Sequence, residues 1–252
     1  MSFHTWIRVI DLETTGSSPP SHAVCEIGWQ DVVLRSDGLW TLGPVGGARL
    51  VDPDRPIPPV TMAVHHILDE DVKGAPFWPD IAPSILRADG GAVALAAHRA
   101  SFEQRFCTPK LAGGARWICT WKCALRLWPD SPSFSNQVLR YWRMADGLNQ
   151  EMGLPVHRAF PDSYVTAHHL RDQLNEAGLE QLLAWSAEPG LLPRVPYGTD
   201  RGRYWSELTD DELQRYMSDR NEDVRFSART EAGRRKGAEP ASALRPAQGK
   251  LL

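Results

Sequence analysis

The apolar positions of the chain alternate between extended runs and stretches of helical spacing. Residues 6–11 form an apolar run of strand length that passes into Asp11-Leu12-Glu13-Thr14-Thr15-Gly16. Two further runs, 23–34 and 39–50, are rich in Val, Leu and Trp and enclose Ser36-Asp37-Gly38, and Asp-Gly between extended runs predicts a hairpin. The chain therefore starts with three antiparallel strands. A loop marked by Pro53, Pro56, Pro58 and Pro59 leads into 61–72, where apolar residues recur at helical spacing. A helix is expected over 80–88, closed by Asp89-Gly90-Gly91. The short continuous apolar run at 92–97 then predicts a strand buried on both faces. Helices are expected at 101–111, 121–128, 135–144, 148–154, 162–175 and 179–186, with one more strand at 117–120. Strand-helix alternation after an antiparallel start predicts an α/β fold, a mixed sheet flanked by helices on both faces.

Pro189, Gly190, Pro193 and Pro196 interrupt this order and divide the chain. The expected organisation is a large domain over 1–188, a linker at 189–194, a small α+β unit at 195–232 and a disordered basic tail at 233–252. In the small unit Thr209 and Glu212 have capping-box spacing, which opens a helix. Composition narrows the class. With 42% hydrophobic and 23% charged residues the chain reads as an ordinary globular protein, and no apolar run approaches the ~20 residues of a membrane span. Met1-Ser2-Phe3-His4 shows no signal-peptide pattern, so a cytoplasmic location is expected. Cys25, Cys107, Cys119 and Cys123 are too widely spaced for a disulfide framework, and Cys119-x3-Cys123 lacks the partner pair of a zinc site. The net charge of −3 rules out bulk positive charge as the means of holding nucleic acid.

The chemistry-bearing residues lie where predicted strands and helices meet. Side chains alternate across a strand, so Asp11 and Glu13 share a face that Ile10 and Leu12 do not. Two neighbouring carboxylates either share a proton or hold a hard divalent cation. The second stretch, His98-Arg99-Ala100-Ser101-Phe102-Glu103, is a buried strand running into a polar turn and a helix start. The third is His157-Arg158-Ala159-Phe160-Pro161-Asp162, with Pro161 suited to a helix start and Asp162 in the first turn. An acid fixed at a helix start beside a loop imidazole suits a metal ligand with a general base. His168, His169 and the tryptophans 117, 121, 128 and 142 read as structural, and Phe102 and Phe106 read as anchors of their helix on the sheet.

Asp11-x-Glu13-Thr14-Thr15-Gly16, then His98 to Glu103, then His157-x4-Asp162 resemble, in order and separation, the three motifs of the DEDDh 3′→5′ exonucleases. The resemblance spans roughly residues 4–176 and includes His65-His66-Ile67-x-Asp69-Glu70-Asp71-Val72. It implies a ribonuclease H-like fold with a mixed five-stranded sheet flanked by helices. It further implies two Mg²⁺ or Mn²⁺ ions, one held by Asp11, Glu13 and Asp162, the other by Asp11 with Glu103. His157 is the implied general base, and Thr14, Thr15, Gly16, His66, His98 and Phe102 the implied substrate contacts. The implied partner is nucleic acid with a free 3′ end, single-stranded DNA foremost, cut to nucleoside 5′-monophosphates. The alternatives are an exoribonuclease of the ribonuclease T type and a catalytically weakened nucleic-acid-binding accessory protein. Two positions depart from the pattern: Arg99 and Glu103 stand where the family has Asn and Asp. His66 stands where many relatives have Gly. Residues 195–232 resemble the C-terminal module of exonuclease X-type proteins, with Thr199 and Arg203 in place of two lysines. Arg201, Arg203, Tyr204 and Trp205 suit either contact with substrate or partner, or a compact hairpin packed on the helix.

Overall fold

The computed structural model describes residues 5–87 and 91–237. Five strands form one sheet: β1 (Trp6–Thr14), β2 (Val24–Leu34), β3 (Trp40–Leu50), β4 (Ala94–Ala97) and β5 (Trp117–Cys119), in the order β3-β2-β1-β4-β5. The first three pair antiparallel, whereas β4 and β5 run parallel to β1. This is the expected mixed sheet. Around it lie α1 (Pro59–His65), α2 (Asp69–Val72), α3 (Trp78–Arg87), α4 (Glu103–Phe106), α5 (Pro109–Ala112), α6 (Thr120–Leu127), α7 (Asn136–Arg143), α8 (Ala159–Ala177) and α9 (Leu179–Ala187). Alternation along β1 sorts its side chains. Ile10 and Leu12 pack with Leu95, Ala97 and the α3 residues Ile85 and Leu86, while Ile7 and Val9 pack with Ala96, Ile118 and the α8 residues Ala167 and Leu170. Asp11 and Glu13 continue the alternation of Ile7 and Val9, so they emerge where α8 begins.

β1 also carries a buried charge. Arg8 stands opposite Asp31 of β2, donates to both its carboxylate oxygens at 2.8 and 2.9 Å, and reaches the Ile85 carbonyl at 2.5 Å. The bidentate pair satisfies a guanidinium that would otherwise be costly inside a core.

Several predicted helices are broken, each for a local reason. The stretch at 61–72 divides into α1 and α2 because His66 turns left-handed (φ 58°) and closes α1. The stretch at 101–111 divides into α4 and α5, and Pro109 opens the second piece. Residues 148–154 form turns and no helix. The helix expected at 80–88 is α3, and Ala88, Asp89 and Gly90 lie outside the described residues.

The C-terminal unit holds a one-turn 3₁₀ helix (Trp205–Glu207), α10 (Asp210–Tyr216) and α11 (Glu222–Arg235) around Val195, Trp205, Leu208, Leu213 and Val224. The strand pair expected there is a single antiparallel bridge between Arg194 and Tyr204. Thr209 caps α10 with Glu212 reaching back, as its spacing predicts. The segment read as a linker is fixed in place: Gly190 N–H donates to Asp223 at 2.6 Å and Leu192 N–H to Ser227 at 2.8 Å. Arg203 pairs with Asp200 and Glu212, and Trp205 Nε1 donates to the Leu192 carbonyl at 2.7 Å, so these residues serve the unit's own packing. The disordered tail expected from 233 does not start there, because α11 runs through Arg235; the rest of that expectation, residues 238–252, lies outside the described residues. Among the described residues no helix is long and apolar enough to cross a membrane.

Candidate active site

Asp11 and Glu13, at the end of β1, meet Asp162 in the first turn of α8. One oxygen from each lies within 4.8 Å of the others. Backbone proximity makes this possible. Gly28 of β2 pairs with Asp11, and a Cβ there would lie 2.0 Å from the Ala159 carbonyl carbon, so α8 begins directly over a position that has no side chain. Asp162 is then held from both sides. Its Oδ1 accepts from Gln137 Nε2 at 2.6 Å and Asn136 Nδ2 at 3.3 Å, and its Oδ2 accepts from the His157 backbone N–H at 2.7 Å. Asn136 and Gln137 open α7, whose cap is Ser135. Sequence reading missed both carboxamides; the only signal was two adjacent amide side chains in a first helical turn.

Glu103 begins α4 and lines the same cleft, of about 630 Å³, with Asp11, Glu13, His157 and Asp162. It is 3% exposed, and its Oε2 is buried with no hydrogen-bond partner among the described residues. Burial, reinforced by the charge of Glu13, pushes this carboxyl up to about 8. Burial and the charges of Asp162 and Glu26 push Glu13 up to about 8, with Arg158 opposing. Asp11 is raised well above the usual carboxylate range by burial and then by Asp162, Glu13, Glu103 and Glu26. An oxygen-only set of crowded carboxylates, one with an orphaned oxygen, fits hard divalent cations, which would restore the charged forms.

The remaining predicted residues divide. His157 is exposed with a left-handed backbone (φ 60°), and its ring makes no hydrogen bond among the described residues while it lines the cleft. Phe102 lines the cleft and rests on Phe106, ring centroids 5.5 Å apart. His98 also lines it, but its nitrogens are taken by Thr120 Oγ1 (2.9 Å) and the Phe134 carbonyl (2.8 Å), and burial pushes it down to about 4. It braces the cleft wall. Of Thr14, Thr15 and Gly16, only Thr14 lines the cleft; Thr15 Oγ1 accepts from Ala23 N–H, and a Cβ on Gly16 would lie 2.0 Å from His22. His66 is exposed and outside the lining, where His65 and Val64 stand instead. Arg99 lines the cleft in a left-handed conformation (φ 66°) with its guanidinium 4.3 Å from the Trp121 ring centroid.

Residues 9–108 match the Exonuclease family (RNase_T). Exodeoxyribonuclease 10 of Escherichia coli K12 is 35% identical over 206 residues, 81% of this chain and 86% of the relative. The epsilon subunit of DNA polymerase III from Treponema pallidum is 30% identical over 160 residues, 62% of this chain and 69% of the subunit. Among solved structures, exonuclease X in complex with 5′ overhanging duplex DNA superposes with a TM-score of 0.58 at 34% identity, covering 71% of this chain and 99% of that one. Exonuclease I of E. coli in complex with a dA16 oligonucleotide, 13% identical with a TM-score of 0.51, covers 72% of this chain and 42% of its own and shares the fold. The described cleft and the 35% identity over most of both sequences lead to one conclusion: this chain belongs to the exonuclease family and is a 3′→5′ exonuclease.

Proposed function

We propose that this exonuclease removes nucleoside 5′-monophosphates one at a time from the 3′ end of DNA, with single strands preferred and His157 as general base. The observation that carries the reading is the convergence of Asp11, Glu13, Glu103 and Asp162 with an exposed imidazole in one cleft. The likeness to exodeoxyribonuclease 10 supports DNA as the substrate. Asp11, Glu13 and Asp162 would hold one cation, and Asp11 with Glu103 a second, as Mg²⁺ or Mn²⁺. When bound, such ions supply Lewis acidity at the scissile phosphate and offset charge on the leaving 3′ oxygen. The chain supplies the rest. Gln137 and Asn136 keep Asp162 turned toward Asp11. His157, without a competing hydrogen bond to its ring, accepts the proton of the attacking water. Phe102 offers an aromatic face to the terminal nucleotide, and Thr14 a hydroxyl beside it.

The test is a panel of 3′-labelled single-stranded DNA, duplex DNA and RNA, each with Mg²⁺, Mn²⁺ or chelator. Mononucleotide release from DNA that stops in chelator is expected. His157→Ala should bind DNA as the parent does and turn over about 10²- to 10⁴-fold more slowly. Faster cleavage of RNA would shift the substrate assignment, and binding without release would make the chain an accessory protein.

A further inference from the structure

Glu26 is a buried acid beside the cleft that no step above uses. It stands on β2 opposite Glu13 of β1 and is 3% exposed. A third carboxylate there would repel the metal-binding pair unless it were neutralised. Its partner is Arg158, the residue that follows His157 and caps α8. Arg158 Nε donates to Glu26 Oε2 at 2.9 Å and Nη2 to Oε1 at 2.6 Å, a bidentate fork, and the Ala159 N–H donates to Oε2 at 2.9 Å. On the other side, the His157 N–H is held by Asp162 Oδ2. The loop is therefore fixed immediately before and immediately after its left-handed residue, a backbone conformation that surroundings must enforce in a non-glycine residue.

We propose that the Glu26–Arg158 pair positions His157 for proton transfer, a role that rests on the reading of His157 as the base. The Arg158 guanidinium acts through His157: its hydrogen bonds go to Glu26, and its contact with a metal-binding residue is through the backbone, where its carbonyl accepts from the Asp162 N–H at 3.1 Å. Two simpler roles make different predictions. A substrate-binding arginine would govern KM, and a plain helix cap would govern only thermal stability.

Single-turnover cleavage of 3′-labelled single-stranded DNA, with Mn²⁺ affinity measured by titration calorimetry, separates these roles in five proteins: the parent, Arg158→Ala, Arg158→Lys, His157→Ala and the double variant His157→Ala/Arg158→Ala. Arg158→Ala should slow cleavage by about tenfold or more at saturating DNA and saturating Mn²⁺, with KM little changed, so that any weaker hold on the ion seen by calorimetry does not account for the loss. Arg158→Lys should recover part of that loss, since an ammonium keeps the charge and one arm of the fork. In the His157→Ala background, Arg158→Ala should cost nothing further. Glu26→Gln, which keeps the shape and can still accept from Ala159, should repeat the pattern if Arg158→Ala melts too low to assay. An equal loss in both backgrounds, or a loss confined to KM, would overturn the positioning role while leaving the base assignment intact. Full activity in His157→Ala would remove the base assignment and the positioning role together.

Discussion

Glu103 is the buried cleft acid that carries an orphaned oxygen. Its Oε2 has no partner among the described residues, and burial has raised its carboxyl to about 8. Glu103→Gln keeps the shape and removes the charge, so it should raise the Mn²⁺ concentration for half-maximal cleavage by about tenfold or more, the factor that corresponds to ~1.4 kcal/mol. A metal titration of initial rates checks this; an unchanged midpoint would exclude Glu103 as a ligand. His66 poses the opposite case, an exposed side chain outside the cleft lining. Its φ of 58° disfavours any L-residue with a Cβ, so His66→Gly should raise stability by about 1 kcal/mol in urea unfolding with turnover unchanged. At this scale the sequence was legible wherever a residue's partner lies nearby in the motif. Asp11 and Glu13 were readable from strand alternation, and His157 with Asp162 from the start of a helix. Gln137, Asn136 and Glu26 were not, because each acquires its role from a partner reached only through the fold, up to 133 residues away.

The start of α8 is the element on which the site depends, and Gly28 is its seat. Gly28→Ala would drive a methyl group into the Ala159 backbone, which cannot rotate out of the way as a side chain could. The helix start must shift, carrying Asp162 away from Asp11. Overpacking of this kind costs about 1–3 kcal/mol, and cleavage should fall by more than the stability loss alone explains. Gly233→Ala is the matched control. It lies within α11 with open space around its Cβ position, so it should stabilise by about 0.5–1 kcal/mol and leave cleavage unaltered. Thermal melts with parallel activity assays distinguish the two. Periodicity predicted the strands and the long helices well, because packing on the sheet imposes the same spacing that it reads. It failed where short helices break, as at His66 and between α4 and α5, since apolar spacing continues across a backbone turn that it cannot register. The turns at 148–154 failed similarly: a few apolar residues suggested a helix, but no long face existed to bury one.

For the molecule as a whole, two buried groups of titratable residues set opposite limits in pH. Without divalent ions, Glu13 and Glu103 at about 8 lie above their unfolded values, so folding favours their protonated forms. That contribution is complete below about pH 4 and is lost as pH rises through 8. His98 and His168, pushed down to about 4 by burial, and His169, pushed down to about 3, favour the neutral ring in the folded state. Their contribution is complete above about pH 6.5 and is lost as pH falls toward 4. Melting temperatures in chelator should therefore decline on both sides of a mildly acidic optimum. Saturating Mn²⁺ should remove the alkaline decline and leave the acid one, and an alkaline slope insensitive to the ion would contradict the cation assignment. The strand order bears on the protein's synthesis as well. Asp11 belongs to the central strand, but Asp162, the last of the four carboxylates to be translated, arrives on a helix that must first clear the ribosome and settle over Gly28. Until then a growing chain lacks the complete acidic set, so cleavage should begin only once α8 has settled on the sheet.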